Sequence, residues 1–194
     1  MRKYELTDET IVHLGHTLHR IRALIPIGSV QAGDFGGWIE TEDNLDQNGD
    51  AWVSENAHVR GNAHVCGNTW VSGNAHVCEN AWVSGNARVF GNAQVSGNAH
   101  VCGNAWVCGN AHVSGDDTWM AFGPAGSRDD FTTFFACADG SIGVKCGCFY
   151  GNLDDFAKKV QATHGDNDHA KVYRAAIEIA KMRIRVGEKE AAEA

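Results

Sequence analysis

The sequence predicts a mainly β fold: a single-stranded parallel β-helix of hexapeptide repeats followed by a small α+β module. Three observations predict it. From Ala51 the chain reads AWVSEN AHVRGN AHVCGN TWVSGN AHVCEN AWVSGN ARVFGN AQVSGN AHVCGN AWVCGN AHVSGD, eleven consecutive six-residue units. Valine recurs at every sixth position from Val53 to Val113, with alanine two places before it except at Thr69. After Gly115 the repeat stops, and the apolar spacing becomes that of short strands and then of helices. The expected divisions are residues 1–50, an N-terminal hairpin or cap with an atypical opening coil; 51–115, the β-helix; and 116–194, an α+β module of ββαα type.

A period of six matches neither a lone helix nor a flat isolated strand. It suits short strands joined by corners, three units closing a triangular coil of 18 residues. Valine and alanine then point inward and stack from coil to coil. The β-branched valine suits a strand, and burying one contributes roughly 1.5 kcal/mol or more. The Gly-Asn pairs suit the corners, because glycine takes positive φ without steric cost and asparagine tolerates it. Asparagines one coil apart, such as Asn56, Asn74, Asn92 and Asn110, are placed to hydrogen-bond as ladders.

Stacking at 18 residues also maps the outward side chains. Trp52, Trp70, Arg88 and Trp106 fall on one face, His58, His76, Gln94 and His112 on the second, and His64, Trp82 and His100 on the third. An aromatic row interrupted by one arginine suits a contact surface, between subunits or against another part of the chain. His58 and His76 lie one coil apart, but Gln94 interrupts the run and the repeat supplies no third ligand, so no metal site is expected there. The repeat cysteines fail as disulfide pairs. Cys66 and Cys102 are two coils apart, Cys78 stacks between Arg60 and Ser96, and Cys108 stacks on Phe90.

Before the repeat, Gly15 argues against one long helix and favours a hairpin or irregular cap. His13, His16 and His19 would share a face only on a helix, so they make a poor ligand set. Residues 31–50 hold six acidic residues and no basic one, including Asp34, Glu40, Glu42 and Asp43. They make an opening coil with a loop, whose acidic side chains face solvent or, as the sharper alternative, a cation or a basic partner. After the repeat, DDTWMAFGPAGSRDD reads as a turn-rich crossing. FTTFFACADGSIGVKCGCFYG reads as two strands joined at Asp139-Gly140. LDDFAKKV and HAKVYRAAIEIAKMRI read as helices, with apolar faces at Leu153, Phe156, Ala157 and Val160, and at Val172, Ala176, Ile179 and Ala180. Cys146 and Cys148 with His164, Asp166 and His169 are the candidate site residues of this module. Their spacing departs from zinc-binding patterns, and no third group orients a cysteine–histidine nucleophile.

The chain carries 24 acidic and 16 basic residues, which disfavours non-specific nucleic-acid binding. The repeat itself is nearly uncharged, which weakens mimicry of duplex DNA. Seven cysteines without a CxxC, and the lack of an apolar leader or a long apolar run, fit a reducing cytoplasm and no membrane span.

RIRAL at Arg20–Leu24, GDFGGWIE at Gly33–Glu40, Asn44–Leu45 and the GNAxV series are similar to the bacterial YdcK-like proteins and their phage-borne relatives, over residues 15–115. The stretch GCFYGNLDDFAKKVQATHGDNDHAKVY resembles tails attached to such repeats in phage and prophage proteins. The resemblance implies left-handed coiling. It also brings a transferase label, because hexapeptide repeats build acyltransferases too, a label that rests on fold analogy. Such enzymes usually place a catalytic histidine beside a loop inserted in the coils, and no insertion interrupts Ala51–Gly115.

The expected function is therefore a non-enzymatic, phage-type binding protein, a rigid scaffold for protein–protein interaction that inhibits a host defence complex. The alternatives are an acetyl-CoA-dependent acyltransferase and sequestration of a small ligand at a subunit interface. The expected interaction residues are Trp52, Trp70, Arg88 and Trp106 with Asp34, Glu40, Glu42 and Asp43. The expected partners are further copies in a dimer or trimer and a host protein or nucleoprotein complex, with no cofactor and no metal.

Overall fold

The computed structural model describes residues 2–187. The chain opens with a hairpin, β1 (Tyr4–His13) and β2 (His16–Ala23). Its tight turn sets Leu14 at φ 49° and Gly15 at φ 81°, the pair of left-handed residues that a two-residue hairpin needs. β2 pairs with β3 (Phe35–Ile39), which starts the first coil by pairing in parallel with β5 (His58–Val59). A short 3₁₀ turn, Glu42–Asn44, leads to Leu45, which bridges Val65 in parallel. The opening coil thus forms without the repeat motif.

The solenoid has three parallel sheets built from two-residue strands. One face holds β4 (Trp52–Val53), β7 (Trp70–Val71), β10 (Arg88–Val89) and β13 (Trp106–Val107). The second continues from β3 through β5, β8 (His76–Val77), β11 (Gln94–Val95) and β14 (His112–Val113). The third holds β6 (His64–Val65), β9 (Trp82–Val83) and β12 (His100–Val101). Every valine pairs with a valine and every repeat valine and alanine is buried. Thr69, which replaces one alanine, is also buried and gives its hydroxyl to the Cys66 carbonyl at 2.8 Å.

Backbone hydrogen bonds join each coil to the next. Trp52 N donates to Thr69 O, His58 N to Ala75 O and Trp82 N to Ala99 O, each at 2.8–2.9 Å. The corners add side-chain ladders. Asn56, Asn74 and Asn92 form one, Asn62, Asn80 and Asn98 a second, and Asn68, Asn86 and Asn104 a third. The corner residue before each asparagine has positive φ. Where Glu55 and Glu79 replace glycine there, the strained backbone is offset by a hydrogen bond. Each carboxylate accepts from the corner amide one coil on, Gly73 N at 2.6 Å and Gly97 N at 2.7 Å.

Both ends of the stack are covered by the same chain. At the start, Lys3 Nζ donates to Ala51 O at 2.9 Å and to Gly49 O at 3.3 Å. Tyr4 Oη donates to Leu45 O at 2.6 Å. Burial lowers the Lys3 ammonium to about 8, while Asp46 and Asp50 oppose the shift. At the far end, Asp116 Oδ1 accepts from His100 N, Thr118 Oγ1 from Ser114 N and Thr133 Oγ1 from Trp106 N, at 2.8–3.0 Å.

The C-terminal module contains the expected ββαα core, on a sheet wider than expected. β15 (Trp119–Ala125), β16 (Asp130–Ala136), β17 (Ile142–Cys146) and β18 (Phe149–Asn152) form one antiparallel sheet in sequence order. The segment expected to be a turn-rich crossing thus supplies an edge strand. α1 (Leu153–His164) and α2 (Asp168–Arg183) begin at Asn152 and Asn167, whose side chains accept from Asp155 N and Ala170 N. The sheet serves two cores. Phe135, Trp119 and Cys137 pack on the end of the solenoid, while Phe134, Ala136 and Val144 pack on the helices.

Two substitutions test the coil. Val83→Asp places an unpaired carboxylate in the buried stack and is expected to cost more than about 4 kcal/mol, read as loss of the cooperative unfolding transition at ambient temperature. Gly85→Ala puts a Cβ at φ 72°, 2.8 Å from Gly103 N. It is expected to cost at least about 1–2 kcal/mol in denaturant unfolding. The alanine variant matching the parent would refute the close approach of successive corners.

Candidate functional site

The outward side chains fall on the three faces that the repeat predicts, but the chain itself covers much of two of them. On the first face Trp52 is only 1% exposed. It lies under Gly36, where a Cβ would come within 2.7 Å of its ring and 2.6 Å of Val53 O. Gly28 sits over Trp70 in the same way. The two tryptophans therefore anchor the segment that connects the hairpin to the first coil. The small residues of GDFGGWIE allow that close approach. Further along, Arg88 lies 5.0 Å over the Trp106 ring and Lys145 5.2 Å from it, so the module closes on the other end of the row. The aromatic row is mainly an intramolecular contact surface.

The acidic segment also differs from a free anionic patch. Glu40 accepts from His16 Nδ1 at 2.9 Å and from Gly61 N at 2.7 Å, and the Gly61 amide, then His16, hold its carboxyl below the ordinary value. Glu42 takes both guanidinium nitrogens of Arg2, at 2.9 and 3.3 Å. Asp34 caps its own turn by accepting from Gln31 N at 2.8 Å. Asp43 stays exposed, and its carbonyl meets His64 Nδ1 at 2.7 Å. Sequence alone cannot place these partners, because they come from residues up to 40 positions away.

The third face is open. Trp82 is 47% exposed and stacks on His64 at 4.9 Å. Beside it a groove of about 570 Å³ is lined by Glu40, Thr41, Asp43, Asn62 and His64.

On the second face the hairpin brings in a residue that the repeat lacks. His13, at the end of β1, lies 4.7 Å from the His58 ring and 5.0 Å from His76, and those two lie 4.8 Å apart. The reading that nothing supplies a third imidazole to this pair is thus corrected. The ligand comes from the folded-back hairpin, which six-residue spacing cannot reveal. The only sequence signal is the position of His13 next to the Leu14-Gly15 turn.

In the C-terminal module, Cys146, Cys148 and His164 line one cavity of about 130 Å³ with Arg128, Lys159 and Tyr173. Thr132 Oγ1 donates to Cys146 Sγ at 3.1 Å, and the Tyr173 hydroxyl lies 3.8 Å from that sulfur. Burial, then Cys146, pushes Tyr173 up to about 12. Gly147 forms the β17–β18 turn, so Cys146 and Cys148 do not alternate along one strand as expected. Asp166 is spent on an ion pair with Arg174 at 2.8 Å, and His169 packs against His164 at 5.7 Å. The five candidate residues are neighbours without forming one ligand set.

The helix faces also shift from expectation. α2 buries Tyr173, Ala176, Ile177 and Ala180. Val172 and Ile179, expected inside, are outside. With Ala175 and Met182 they form an exposed apolar seam in which Met182 reaches 75% exposure.

A family model described as the YdcK beta solenoid repeat matches residues 81–97 and 93–109, in the middle of the solenoid. No curated protein matches the chain. No helix among the described residues is long and apolar enough to cross a membrane.

The histidine cluster makes stability depend on pH with a definite sign. Burial, then His76, His13 and Arg60, holds His58 at about 4, and burial lowers His76 as well. A histidine in the unfolded chain titrates near about 6.5, so falling pH protonates the unfolded chain first. This contribution is intact above about pH 6.5 and is lost as pH falls toward the folded value. The melting temperature is expected to fall over that window, with a shallower fall in His58→Gln. Identical pH profiles for the two proteins would refute the assignment.

Proposed function

We propose that this chain is a non-enzymatic binding protein in which the solenoid is a rigid scaffold and the outer face of α2 docks a helix of a partner protein. One observation carries this reading. Val172, Ala175, Ile179 and Met182 on α2 alternate at spacings of three and four and point away from the module's own core. That is the spacing of a helix-on-helix seam, and a contiguous exposed apolar strip is the usual mark of an interaction surface. The buried side of the same helix is already filled by Tyr173, Ala176, Ile177 and Ala180, so the seam is surplus to folding.

The rest of the architecture fits this use. The coils are dry and cross-linked by backbone ladders, which keeps the module in a fixed position. The net charge of −8 favours a basic partner. The resemblance to phage-borne chains supports a finer reading, in which docking covers the working surface of a host protein complex and so inhibits it.

The test compares the parent with Ile179→Asp/Met182→Asp. Both side chains are exposed, so the double variant is expected to melt within a few degrees of the parent. It is also expected to lose a stoichiometric partner that the parent retains from bacterial lysate, by at least tenfold. Retention of that partner by the variant would overturn the seam. If light scattering gives a parent dimer that the variant converts to a monomer, the seam belongs to self-association and the partner-helix reading fails.

A further inference from the structure

We propose that His13, His58 and His76 form a three-histidine site for a divalent transition-metal ion that staples the hairpin tip to two successive coils. The inference is independent of the docking seam. Each imidazole offers one nitrogen, and the three nitrogens lie within 4.8 Å of one another. His58 and His76 are fixed neighbours in the ladder, since β5 and β8 pair in register. His13 is held over them by the pairing of β1 with β2, where it sits opposite His16, and His16 is itself tied to Glu40.

A second observation points to a ligand. His13 Nε2 and His58 Nδ1 are buried from solvent and have no hydrogen-bond partner. Buried ring nitrogens normally find one. Two such groups beside a third imidazole would be a poor use of polar atoms unless a shared partner lay between them. An ion can be that partner, because each neutral imidazole presents a lone pair.

The chemistry selects the ion class. Three imidazoles without a carboxylate are suited to zinc, copper or nickel, not to calcium or magnesium. Zinc–nitrogen bonds of about 2.0–2.1 Å at tetrahedral angles set the nitrogens about 3.4 Å apart. Closure to that spacing needs a shift of about an ångström, which the hairpin tip can supply. Its flanking residues Val12 and Leu14 are 75% and 73% exposed and pack on nothing that would resist. Arg60 is the charged group that bears on His58 and His76. Its charge opposes the cation and leaves the fourth position to water or an anion. Affinity should therefore be moderate, and the ion should act as a staple.

The test uses the full chain without a histidine tag, treated with chelator and titrated with zinc by calorimetry and by thermal melting. The expected result is one ion per chain at micromolar zinc and a melting temperature several degrees higher. Cobalt in place of zinc should give the visible absorption of a four-coordinate site. His13→Ala, on the exposed tip, should fold as the parent does by circular dichroism and lose at least tenfold in zinc affinity together with the thermal shift. His76→Gln should do the same. His112→Ala, two coils along the same face, should keep both. No saturable binding by the parent would overturn the site. Unchanged stoichiometry and thermal shift in His13→Ala would overturn it too, since the zinc would then be held elsewhere.

Discussion

The inter-coil backbone ladder needs a partner strand on both sides of every coil, and the rest of the molecule is arranged around that fact. Successive coils exchange N–H···O=C bonds along their parallel strands, as where Trp52 N donates to Thr69 O. The first coil and the last each have one edge with no further coil to pair with. Such edges cannot be left bare without inviting another strand. The two caps meet these edges with different side chains. The N-terminal segment brings donors to exposed carbonyls, Lys3 and Tyr4, while the C-terminal side brings acceptors to free amides, Asp116, Thr118 and Thr133.

The caps also account for the side chains that look like a binding surface in the repeat. Trp52 and Trp70 hold the return of the hairpin, Glu40 and Glu42 fasten it to His16, Gly61 and Arg2, and Trp106 receives Arg88 and Lys145. The Trp82 groove and the outer side of α2 stay open.

The solenoid was legible in the sequence because one physical requirement repeats: an inward valine, an inward alanine and a corner of positive φ, with equal surroundings at each step. Each residue then reports its own environment. The hairpin around Gly15 was legible for a similar local reason. The contacts of Glu40, Glu42 and His13 were not, since each depends on how a non-repeating segment folds back over the coils. Helix α2 shows a further limit. Val172, Ala176, Ile179 and Ala180 make a valid apolar face, yet the sheet selects the neighbouring one through Tyr173 and Ile177, with the Tyr173 ring set edge-on to Phe156. A helix with apolar residues on two sides leaves the choice to tertiary packing.

The asparagine ladders link positions 18 residues apart on all three corners, so the solenoid is a ruler with a fixed graduation. Removing or adding one full coil would move the C-terminal module along the axis by one strand spacing, about 4.8 Å, without turning it. Gaining or losing a single hexapeptide would instead swing the module by a third of a turn. Two quantities, the reach and the bearing of the module, are thus controlled by separate units of the same sequence. Lineages that duplicate whole coils would change how far this protein reaches while keeping the direction in which it points.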